Sequence, residues 1–599
     1  YYLFIIAFMV LAYLWDAVRN HRLAQFGKAT GVCFVAAALG VVINLSNLYH
    51  TWQYTQESMR GKSELVKKNS ANQTSSGLDR DYITQWSYGI DETWTLLVPN
   101  TKGGASMPLA MNEKAMEKAD PQFYQIYQQL GQYWGNQPGT SGPVYVGAFV
   151  LMLFVLGLFI VKGPMKWALF LATGLSILLS WGHNFMWFTD LFLDYVPMYA
   201  KFRTVASILV IAEFTIPLLA MLALKKIFDT PDFFTQKIRI YLGTSKHPII
   251  AHNTTNMFWL WVSFIATGGM ALLFAIMPSI FFPDYVSASE LEAMKQIPSE
   301  YLGPLLSNLQ EIRISIFTAD CWRTFFVIVL GTAVLLLLRM KKIQPKYAVG
   351  AIIVLCLVDM WQVNKRYLND GMFVERSVRE TPQQETATDR QIMQDKAPDY
   401  RVLNLASNTF NENETSYYHK SIGGYHAAKL RRYQEMIDQY IGKEMRDMQG
   451  AIVNAQGDMT RVAGDSIYPV LNMLNTKYVI LPLQGGQTAP LLNPYAFGNA
   501  WFVDRISYVD NANAEIDAVG KLNLRHEAVA DSKFKDALGE PVAQQSNAVV
   551  TLKKYEPNEL TYTVESQKGG IVVFSEVYYP GWTATVDGTD TPVGRVNYI

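Results

Sequence analysis

The chain has 599 residues, half of them apolar and 13% aromatic, and its 51 acidic side chains balance 51 basic ones. This balance argues against the basic surface that nucleic-acid binding requires, so we predict no nucleic-acid partner. The three cysteines, Cys33, Cys321 and Cys356, lie in or beside apolar runs, which excludes a disulfide framework and a cysteine metal site.

Eight apolar runs approach the roughly 17–25 residues that a helix needs to cross a bilayer. They are 1–14, 31–48, 143–161, 166–182, 204–224, 255–281, 323–339 and 346–363. Such runs can span only as helices, because lipid offers the backbone no hydrogen-bond partners. We therefore predict a polytopic α-helical membrane domain over residues 1–363, in which the short runs 166–182 and 323–339 are tilted or broken.

Basic residues mark alternate connections between these runs. They are Arg19, Arg22 and Lys28; Lys162 and Lys166; Lys225, Lys226, Lys237, Arg239 and Lys246; and Arg339, Lys341, Lys342 and Lys346. The positive-inside rule assigns such connections to the cytoplasm. The loops 49–142, 183–203 and 282–322, and everything after residue 363, are then predicted to face outward.

The stretch 88–104, YGIDETWTLLVPNTKGG, lies in the first of these loops and carries two adjacent carboxylates, Asp91 and Glu92. A strand-like apolar run and a Gly103-Gly104 turn follow them, and residues 109–134 have helical spacing. Transfer of a lipid-phosphate-activated sugar needs a carboxylate base that takes the proton of the acceptor. Adjacent residues of a strand face opposite ways, so we expect only one acid to point into a cleft. The alternative is a pair of solvated loop carboxylates.

Lys201 and Arg203 begin the fifth run and are candidates for holding the departing phosphate, because a guanidinium can fork onto phosphate oxygens. Their alternative is ordinary anchoring of a helix end at the headgroups. His183 could hydrogen-bond a phosphate or a sugar, or simply end a helix near the interface. Among the aromatic residues, Trp86, Tyr88 and Trp94 are expected to stack on sugar faces, with core packing as the alternative.

Three ionisable groups near or inside apolar runs have other interpretations. Glu213 is expected about 15 Å inside the fifth run at 1.5 Å per residue, where an ionisable group is a functional candidate. The alternative is a protonated Glu213 that is hydrogen-bonded between helices. Glu213 is the one feature that favours transport over catalysis. Asp320 and Arg323 flank the seventh run, where they are expected to pair with each other.

After residue 363 the periodicity changes. Residues 364–546 are predicted to be mixed α/β, with strands at 401–407, 477–481 and 500–509 and helices at 425–440, 470–474 and 513–521. Residues 547–599 alternate in the manner of a β-sandwich, with a hairpin turn at Asp587-Gly588. The chain starts without Met inside an apolar run and ends on a strand-like VNYI, so we expect a longer protein at both ends.

Six segments in order resemble the YfhO family of bacterial multi-spanning membrane proteins. They are GIDETWTLLVPN with GG (89–104), MYAKFRTVASILV (198–210), TSYYHKSIGGYHAAKLRRYQ (415–434), LNMLNTKYVI (471–480), NPYAFGNAWFV (493–503) and SEVYYPGWTATVDG (575–588). The resemblance implies a GT-C-type fold, a membrane domain followed by an extracytoplasmic domain, in the bacterial cytoplasmic membrane. Related enzymes often carry a catalytic acid just after their first helix. The present sequence starts too late to show that loop, which leaves Asp91 and Glu92 open as positioning acids.

The resemblance also implies transfer of a sugar from a polyprenyl-phosphate donor to an envelope glycopolymer or glycoprotein. The expected partners are thus membrane lipids, this donor and this acceptor. No nucleotide-binding glycine loop or metal-binding helix motif appears, so the sequence points to no cofactor and leaves a divalent metal open. The alternative is a non-enzymatic membrane protein, either a transporter or a structural subunit of an envelope assembly.

Overall fold

The computed structural model of the chain describes residues 1–66, 70–74, 77–243, 248–455, 464, 466–541 and 548–599. The chain divides into two compact units. The first comprises Tyr1–Asn44 and Asp79–Phe373, and the second comprises Leu45–Leu78 and Val374–Ile599. The second unit is therefore built from two stretches that are far apart in the sequence.

The first unit is mainly helical. At the N-terminus, α1 (Tyr2–Arg19) and α2 (Leu23–Ile43) belong to it, whereas α3 (Leu45–Glu57) belongs to the second unit. Its other helices are α4 (Arg80–Thr84), α5 (Glu113–Met116), α6 (Tyr124–Tyr127), α7 (Ala148–Ile160), α8 (Pro164–Ser180), α9 (Met186–Tyr195), α10 (Val210–Asp229), α11 (Met257–Phe264), α12 (Met270–Ile276), α13 (Pro278–Phe281), α14 (Ala288–Met294), α15 (Ser299–Arg339) and α16 (Pro345–Tyr367). A π-helical turn, Ile265–Gly269, joins α11 to α12, and β1 (Lys237–Gly243) pairs antiparallel with β2 (Pro248–Thr255).

Among the described residues, six helical segments are long and apolar enough to cross a membrane. They are α1, α2, Val205–Asp229, Met257–Ile276, α15 and α16. The pair formed by α8 and Gly182–Tyr195, bent by 109°, would make a seventh. These helices indicate a multi-pass membrane region. Each of the eight predicted runs contains a helix, but α7 has only 13 residues, about 20 Å, so the expected eight full spans are not reached.

The main core of the first unit lies between α7, α8, α10, the α11–α12 segment and α15, whose facing side chains are apolar and buried. A second cluster lies under the loop before α7. There Leu109, Phe123 and Tyr127 pack on Leu305 and Leu309 of α15. The predicted helix over 109–134 is wrong in form: the segment makes separate short turns, because Asn112 and Asp120 cap new ones and proline follows Asp120. Phe123, Ile126, Tyr127 and Leu130 nevertheless face this cluster, whereas Met111 is exposed.

The second unit is mixed α/β. Its other helices are α17 (Arg376–Glu380), α18 (Ala387–Ile392), α19 (Thr415–Tyr418), α20 (Arg431–Met436), α21 (Gly442–Asn454), α22 (Pro469–Met473), α23 (Ala512–Val519) and α24 (Lys535–Leu538). Its strands are β3 (Arg401–Asn404), β4 (Thr476–Pro482), β5 (Thr488–Leu492), β6 (Ala500–Val503), β7 (Arg505–Val509), β8 (Glu527–Asp531), β9 (Val549–Glu556), β10 (Glu559–Glu565), β11 (Ile571–Phe574), β12 (Ala584–Val586) and β13 (Thr589–Thr591).

The strands of this unit form small sheets. Strand β4 lies between β3, which is parallel to it, and β5, which is antiparallel, while β7 pairs in parallel with β8. In place of the predicted β-sandwich over 547–599, the described residues form hairpins β9–β10 and β12–β13, and β11 pairs with β6. Alternation identifies these strands but not their partners, and β6 lies far upstream. The predicted turn is confirmed, with φ of 49° at Asp587 and 82° at Gly588.

Two arginines of α20 bind the segment 58–66 to the rest of the second unit. Arg431 donates to the carbonyl oxygens of Met59 and Gly61, the latter at 2.8 Å. Arg432 pairs with Glu64 and, at 3.2 Å, with the fully buried Glu515. The predicted helix over 425–440 is displaced accordingly, since helical structure begins at Arg431 and continues through a π turn into α21.

Candidate functional site

The stretch 88–104 forms a tight 3₁₀ turn and loop instead of the expected strand. The 3₁₀ segment is Asp91–Leu96, and the chain then turns back through Gly103 and Gly104, whose φ values are 84° and 86°. A Cβ on Gly103 would lie 2.1 Å from the carbonyl oxygen of Gln132, so only glycine fits there. The backbone N–H of Trp134 donates to the Lys102 carbonyl at 3.1 Å. The loop is thus packed closely on residues 132–134.

The two adjacent acids have different surroundings. The Asp91 carboxylate lies 2.6 Å from the Lys102 ammonium, and 44% of its side chain is exposed. The Glu92 side chain turns inward, is only 2% exposed, and accepts hydrogen bonds from Tyr133 Oη at 2.7 Å and from Gly89 N–H at 3.1 Å. Burial raises the pKa of Glu92 above its ordinary value. Within the part of the chain that the structure describes, no basic side chain pairs with Glu92.

The three aromatic candidates also separate. Tyr88 is 2% exposed and belongs to the main core, which favours the core-packing alternative over sugar stacking at this residue. Trp94 packs on the same core, edge-to-face with Phe274 at 5.0 Å between ring centroids. Trp86 is half-buried, its Nε1 donating to the Gly139 carbonyl at 3.3 Å. Of the three, only Trp86 has its ring against a predicted ligand residue.

That residue is Arg203. Its guanidinium carbon lies 4.8 Å from the ring centroid of Tyr82 and 4.8 Å from that of Trp86, and one guanidinium nitrogen donates to Tyr82 Oη. Aromatic rings stabilise a guanidinium without cancelling its charge. Among the described residues, no carboxylate pairs with Arg203. Its charge therefore remains available to an anion.

The backbone next to Arg203 is held in an unusual conformation. Thr204 has φ of 67°, which is costly for a β-branched residue. Its N–H donates to the Ile83 carbonyl at 3.3 Å, and Ala206 N–H donates to the Trp86 carbonyl at 3.2 Å. These bonds fix Arg203 beside the rings that it contacts. Lys201 ends the 3₁₀ turn Tyr199–Lys201, two residues away, with its side chain half-buried.

His183 lies in the same cluster and is exposed. Its Nδ1 is 2.9 Å from the Thr84 carbonyl oxygen, and its backbone N–H donates to Ser87 Oγ at 2.9 Å. Because a carbonyl can only accept, Nδ1 carries a proton. Nε2 of the neutral ring is then an acceptor, and His183 can donate to a phosphate through Nε2 only as the imidazolium.

Three segments are drawn together to make this cluster: residues 82–88, 180–184 and 203–206. The corner at Gly182 has φ of 46°, and a Cβ there would lie 2.0 Å from Ser87 Oγ. Tyr88 N–H donates to the Ser180 carbonyl at 2.8 Å, and Asn184 Nδ2 donates to the Tyr88 carbonyl at 2.9 Å. Trp86, His183 and Arg203 are thus assembled by backbone contacts between distant parts of the sequence.

A buried ionic network adjoins the 88–104 loop, and only part of it is predicted from the sequence. Asp320 accepts from both terminal nitrogens of Arg366, at 2.6 and 2.7 Å, and from Arg323 Nε at 3.1 Å. Arg323 also pairs with Asp359, to which Tyr145 Oη donates at 2.7 Å. The expected Asp320–Arg323 pair is present. Asp359 and Arg366 were missed, although an aspartate within the apolar run 346–363 was a usable signal.

The network holds the loop as well as the helices. Asn100 N–H donates to the Asp320 carboxylate at 3.1 Å, and Thr324 Oγ1 donates to the Leu97 carbonyl at 3.3 Å. The carboxylates and guanidiniums on α15 and α16 therefore compensate one another and anchor the 88–104 loop at the same time.

Glu213 lies in the first turn of α10, after the 3₁₀ segment Val205–Leu209, and it is the ninth residue of the apolar span Val205–Asp229. Its side chain is exposed. Groups of three or more His, Cys, Asp or Glu side chains that could hold a metal ion are absent from the described residues.

These features define a multi-pass membrane region with a charged, aromatic loop cluster, joined in sequence to a mixed α/β unit. Comparison of the chain with models of known families, with curated proteins and with solved structures finds no match.

Proposed function

We propose that the protein is a membrane glycosyltransferase that moves a sugar from a polyprenyl-phosphate donor to an extracytoplasmic cell-envelope acceptor. The observation that carries the proposal is Arg203, a guanidinium held between Tyr82 and Trp86 with no carboxylate partner among the described residues. The resemblance of six ordered segments to the YfhO family supports the same reaction and a GT-C-type fold. Alternation of basic connections supports a bacterial cytoplasmic membrane location, with the 88–104 loop and the second unit outside.

In this proposal Arg203 holds the phosphate of the donor. An acceptor hydroxyl oxygen attacks the anomeric carbon, and the bond from that carbon to the phosphate oxygen breaks. Polyprenyl phosphate leaves with the electron pair of that bond, and the guanidinium stabilises the growing charge. The stacked rings pre-organise the guanidinium, so little order has to be gained during the reaction. Lys201 adds positive charge nearby, and His183 donates to the phosphate when it is protonated.

The proton of the acceptor goes to Asp91. Its partly exposed carboxylate can reach a ligand, and it forms an ion pair with the Lys102 ammonium at 2.6 Å. Glu92 is enclosed and both of its oxygens are engaged by donors of the loop, so it acts as a positioning residue. An acid upstream of Tyr1 is the alternative base that the resemblance leaves open.

The test is sugar transfer by the full-length protein in lipid nanodiscs, with a panel of radiolabelled polyprenyl-phosphate sugars as donors and envelope polymer as acceptor. Arg203→Ala should lower kcat/KM by about 10²–10³, the usual effect of removing one group that stabilises transition-state charge. Lys341→Ala is the matched control. It removes an exposed cation that forms a surface pair with Asp232, and it should transfer at the wild-type rate. Wild-type transfer by Arg203→Ala would overturn the phosphate assignment.

Asp91→Asn tests the base separately. It should lower kcat by about 10²–10⁴, because a general base of this kind contributes that much. Full activity of Asp91→Asn would transfer the role to another acid while leaving Arg203 as the phosphate ligand.

The alternative function, transport, rests on Glu213. This residue is exposed on α10 rather than enclosed between helices, so no observation favours transport over sugar transfer.

A further inference from the structure

Helix α9 leaves the end of an apolar helix at nearly a right angle. The angle between α8 and the segment Gly182–Tyr195 is 109°, and the corner is Gly182. Helix α8 has 17 residues, the short end of a spanning length, and packs on α1 and α10, which belong to candidate spans. With α8 aligned along these helices, α9 lies close to the membrane plane.

Helix α9 has one buried face and one exposed face. Thr189 and Leu193 are buried, whereas Trp187, Leu191 and Tyr195, at successive spacings of four, are 64%, 44% and 79% exposed. These last three residues form the exposed stripe of α9, and residues four apart share one face of a helix. The stripe therefore presents a continuous row of large side chains.

The apolar surface continues past the end of α9. Met198 is 62% exposed and Phe202 is 54% exposed. Phe202 immediately precedes Arg203, so the row of large side chains leads to the proposed phosphate ligand.

The acids that flank the exposed stripe are partly compensated. Arg80 of α4 pairs with Asp190 and, at 2.5 Å, with Asp194. Anionic headgroups would be repelled by two unpaired aspartates, and Arg80 reduces that repulsion. Tyr82 of the same short helix contacts Arg203. Helix α4 thus links α9 and the phosphate candidate through contacts at both.

We infer that α9 is an interfacial helix whose exposed stripe enters the boundary between lipid headgroups and acyl chains. The occupant of this surface is lipid, because Trp and Tyr with Leu on a helix perpendicular to a spanning segment is the composition and orientation of an interfacial anchor. Arg203 then lies at the depth of lipid phosphates, where the phosphate of a polyprenyl donor also resides. This last consequence rests on the proposed function, whereas the interfacial position of α9 does not.

The experiment measures depth by spin labelling of the full-length protein in nanodiscs of phosphatidylethanolamine and phosphatidylglycerol. The background carries Cys33→Ala and Cys356→Ala, which removes the exposed and half-buried thiols and keeps the buried Cys321. Labels are placed at Leu191→Cys and, as a second position on the stripe, at Tyr195→Cys. Collision with oxygen, which enters the bilayer, and with a neutral nickel chelate, which stays in water, is then compared.

Two matched positions calibrate the scale. Leu330→Cys labels an exposed residue within the apolar half of α15, and Tyr124→Cys labels an exposed residue of α6, in the loop before α7. The stripe labels should give oxygen-to-nickel collision ratios between those of the two references. A ratio equal to that at Tyr124 would overturn the inference, since the stripe would then face water.

Other outcomes are equally decisive. Low collision with both reagents would mean that protein covers the stripe, and a ratio equal to that at Leu330 would mean that α9 lies in the hydrocarbon; either result overturns the inference. The measurement uses no sugar donor. Failure of the transfer assay with intermediate depth therefore rejects only the proposed function, and active transfer with a water-like ratio rejects only the interfacial helix.

Discussion

Two groups of charges in the first unit follow opposite rules. In the network on α15 and α16, the carboxylates of Asp320 and Asp359 face the guanidiniums of Arg323 and Arg366. Around the 82–104 and 203–206 segments, by contrast, Arg203 is held by aromatic rings and Glu92 by neutral donors. The network on α15 and α16 is thus paired throughout, whereas Arg203 and Glu92 have no partner of opposite charge among the described residues, although Asp91 and Lys102 of the same loop do pair.

This difference matters because a charge without a partner destabilises the folded state. A buried charge without a partner costs several kcal/mol, or shifts its pKa until it is neutral. The half-buried Arg203 lacks a carboxylate partner among the described residues, which suggests a use for its charge. The following substitutions are ordered from the largest expected effect to the smallest.

Breaking the paired network should cost most. Asp320→Ala leaves Arg366 and Arg323 without a shared carboxylate and frees the Asn100 N–H, so we expect a loss of about 3–5 kcal/mol in the free energy of unfolding. Thermal unfolding in detergent micelles measures it. Asp370→Ala, which removes the exposed partner of Lys365, is the control and should cost at most about 1 kcal/mol. Equal losses in the two variants would show that the network is not the stabilising element.

Glu444 of the second unit is a buried carboxyl whose hydrogen-bond donors, among the described residues, are backbone N–H groups. Glu444 accepts from Val470 N–H at 3.1 Å and Leu471 N–H at 2.9 Å, and burial raises its pKa from 4.5 to about 7. The unfolded state therefore ionises first as pH rises. The contribution of Glu444 is fully present below pH 4.5 and declines by about 3 kcal/mol as pH rises through 7.

Stability profiles from pH 4.5 to 8 test this expectation. Wild-type protein should lose stability across the interval, and Glu444→Gln should give a flatter profile whatever its absolute stability, because an amide does not titrate. Parallel profiles for the two proteins would show that another group governs the pH dependence.

Glu92 is the corresponding group at the site. Glu92→Gln keeps the shape of the side chain but turns its amide nitrogen toward a donor, either Tyr133 Oη or Gly89 N–H, and should cost about 1–3 kcal/mol at acid pH. Because the folded-state pKa of Glu92 is raised, the wild-type advantage is present below the ordinary pKa of Glu and shrinks as pH rises through the raised value. Amide exchange at Gly89 follows the local effect. A gap that widens with pH would mean that Glu92 is stabilised as the anion.

The smallest effect is expected for Arg203→Lys. The charge remains, but the planar contact with Tyr82 and Trp86 is lost, which should lower stability by about 0.5–1 kcal/mol. Addition of polyprenyl phosphate should raise the thermal midpoint less in this variant than in wild type. An equal rise in both would show that one positive charge is enough and that the forked geometry of arginine is not used.

The helices were the most predictable part of the molecule. Every predicted apolar run contains one, because an 18-residue apolar stretch leaves the backbone few other solutions. Helix ends were less predictable. Helix α15 begins at Ser299, well before the predicted 323, because its first half is amphipathic and packs through Leu305 and Leu309 on the loop beside it. A search for continuous apolar runs does not detect such a half-buried helix.

The site was predictable in residue type but not in arrangement. Periodicity could not distinguish a 3₁₀ turn from a strand at Asp91–Leu96, and both place successive side chains on different sides. The enclosure of Tyr88 and the stacking of Arg203 depend on backbone contacts between residues 82–88, 180–184 and 203–206. Likewise, Asp359 and Arg366 acquire their partners only when α15 and α16 pack. Long-range pairing of this kind is not encoded in any local pattern.

The contacts between α20 and the segment 58–66 have a consequence for biosynthesis. Arg431 follows Met59 by 372 residues, so at 5–20 residues per second the ribosome delivers it roughly 20–75 s later. During that interval the early segment has none of its final contacts with α20, while several apolar helices enter the bilayer. Completion of the mixed unit therefore waits until its C-terminal part has been synthesised, and a nascent chain stalled before residue 431 would expose this segment to proteases and chaperones.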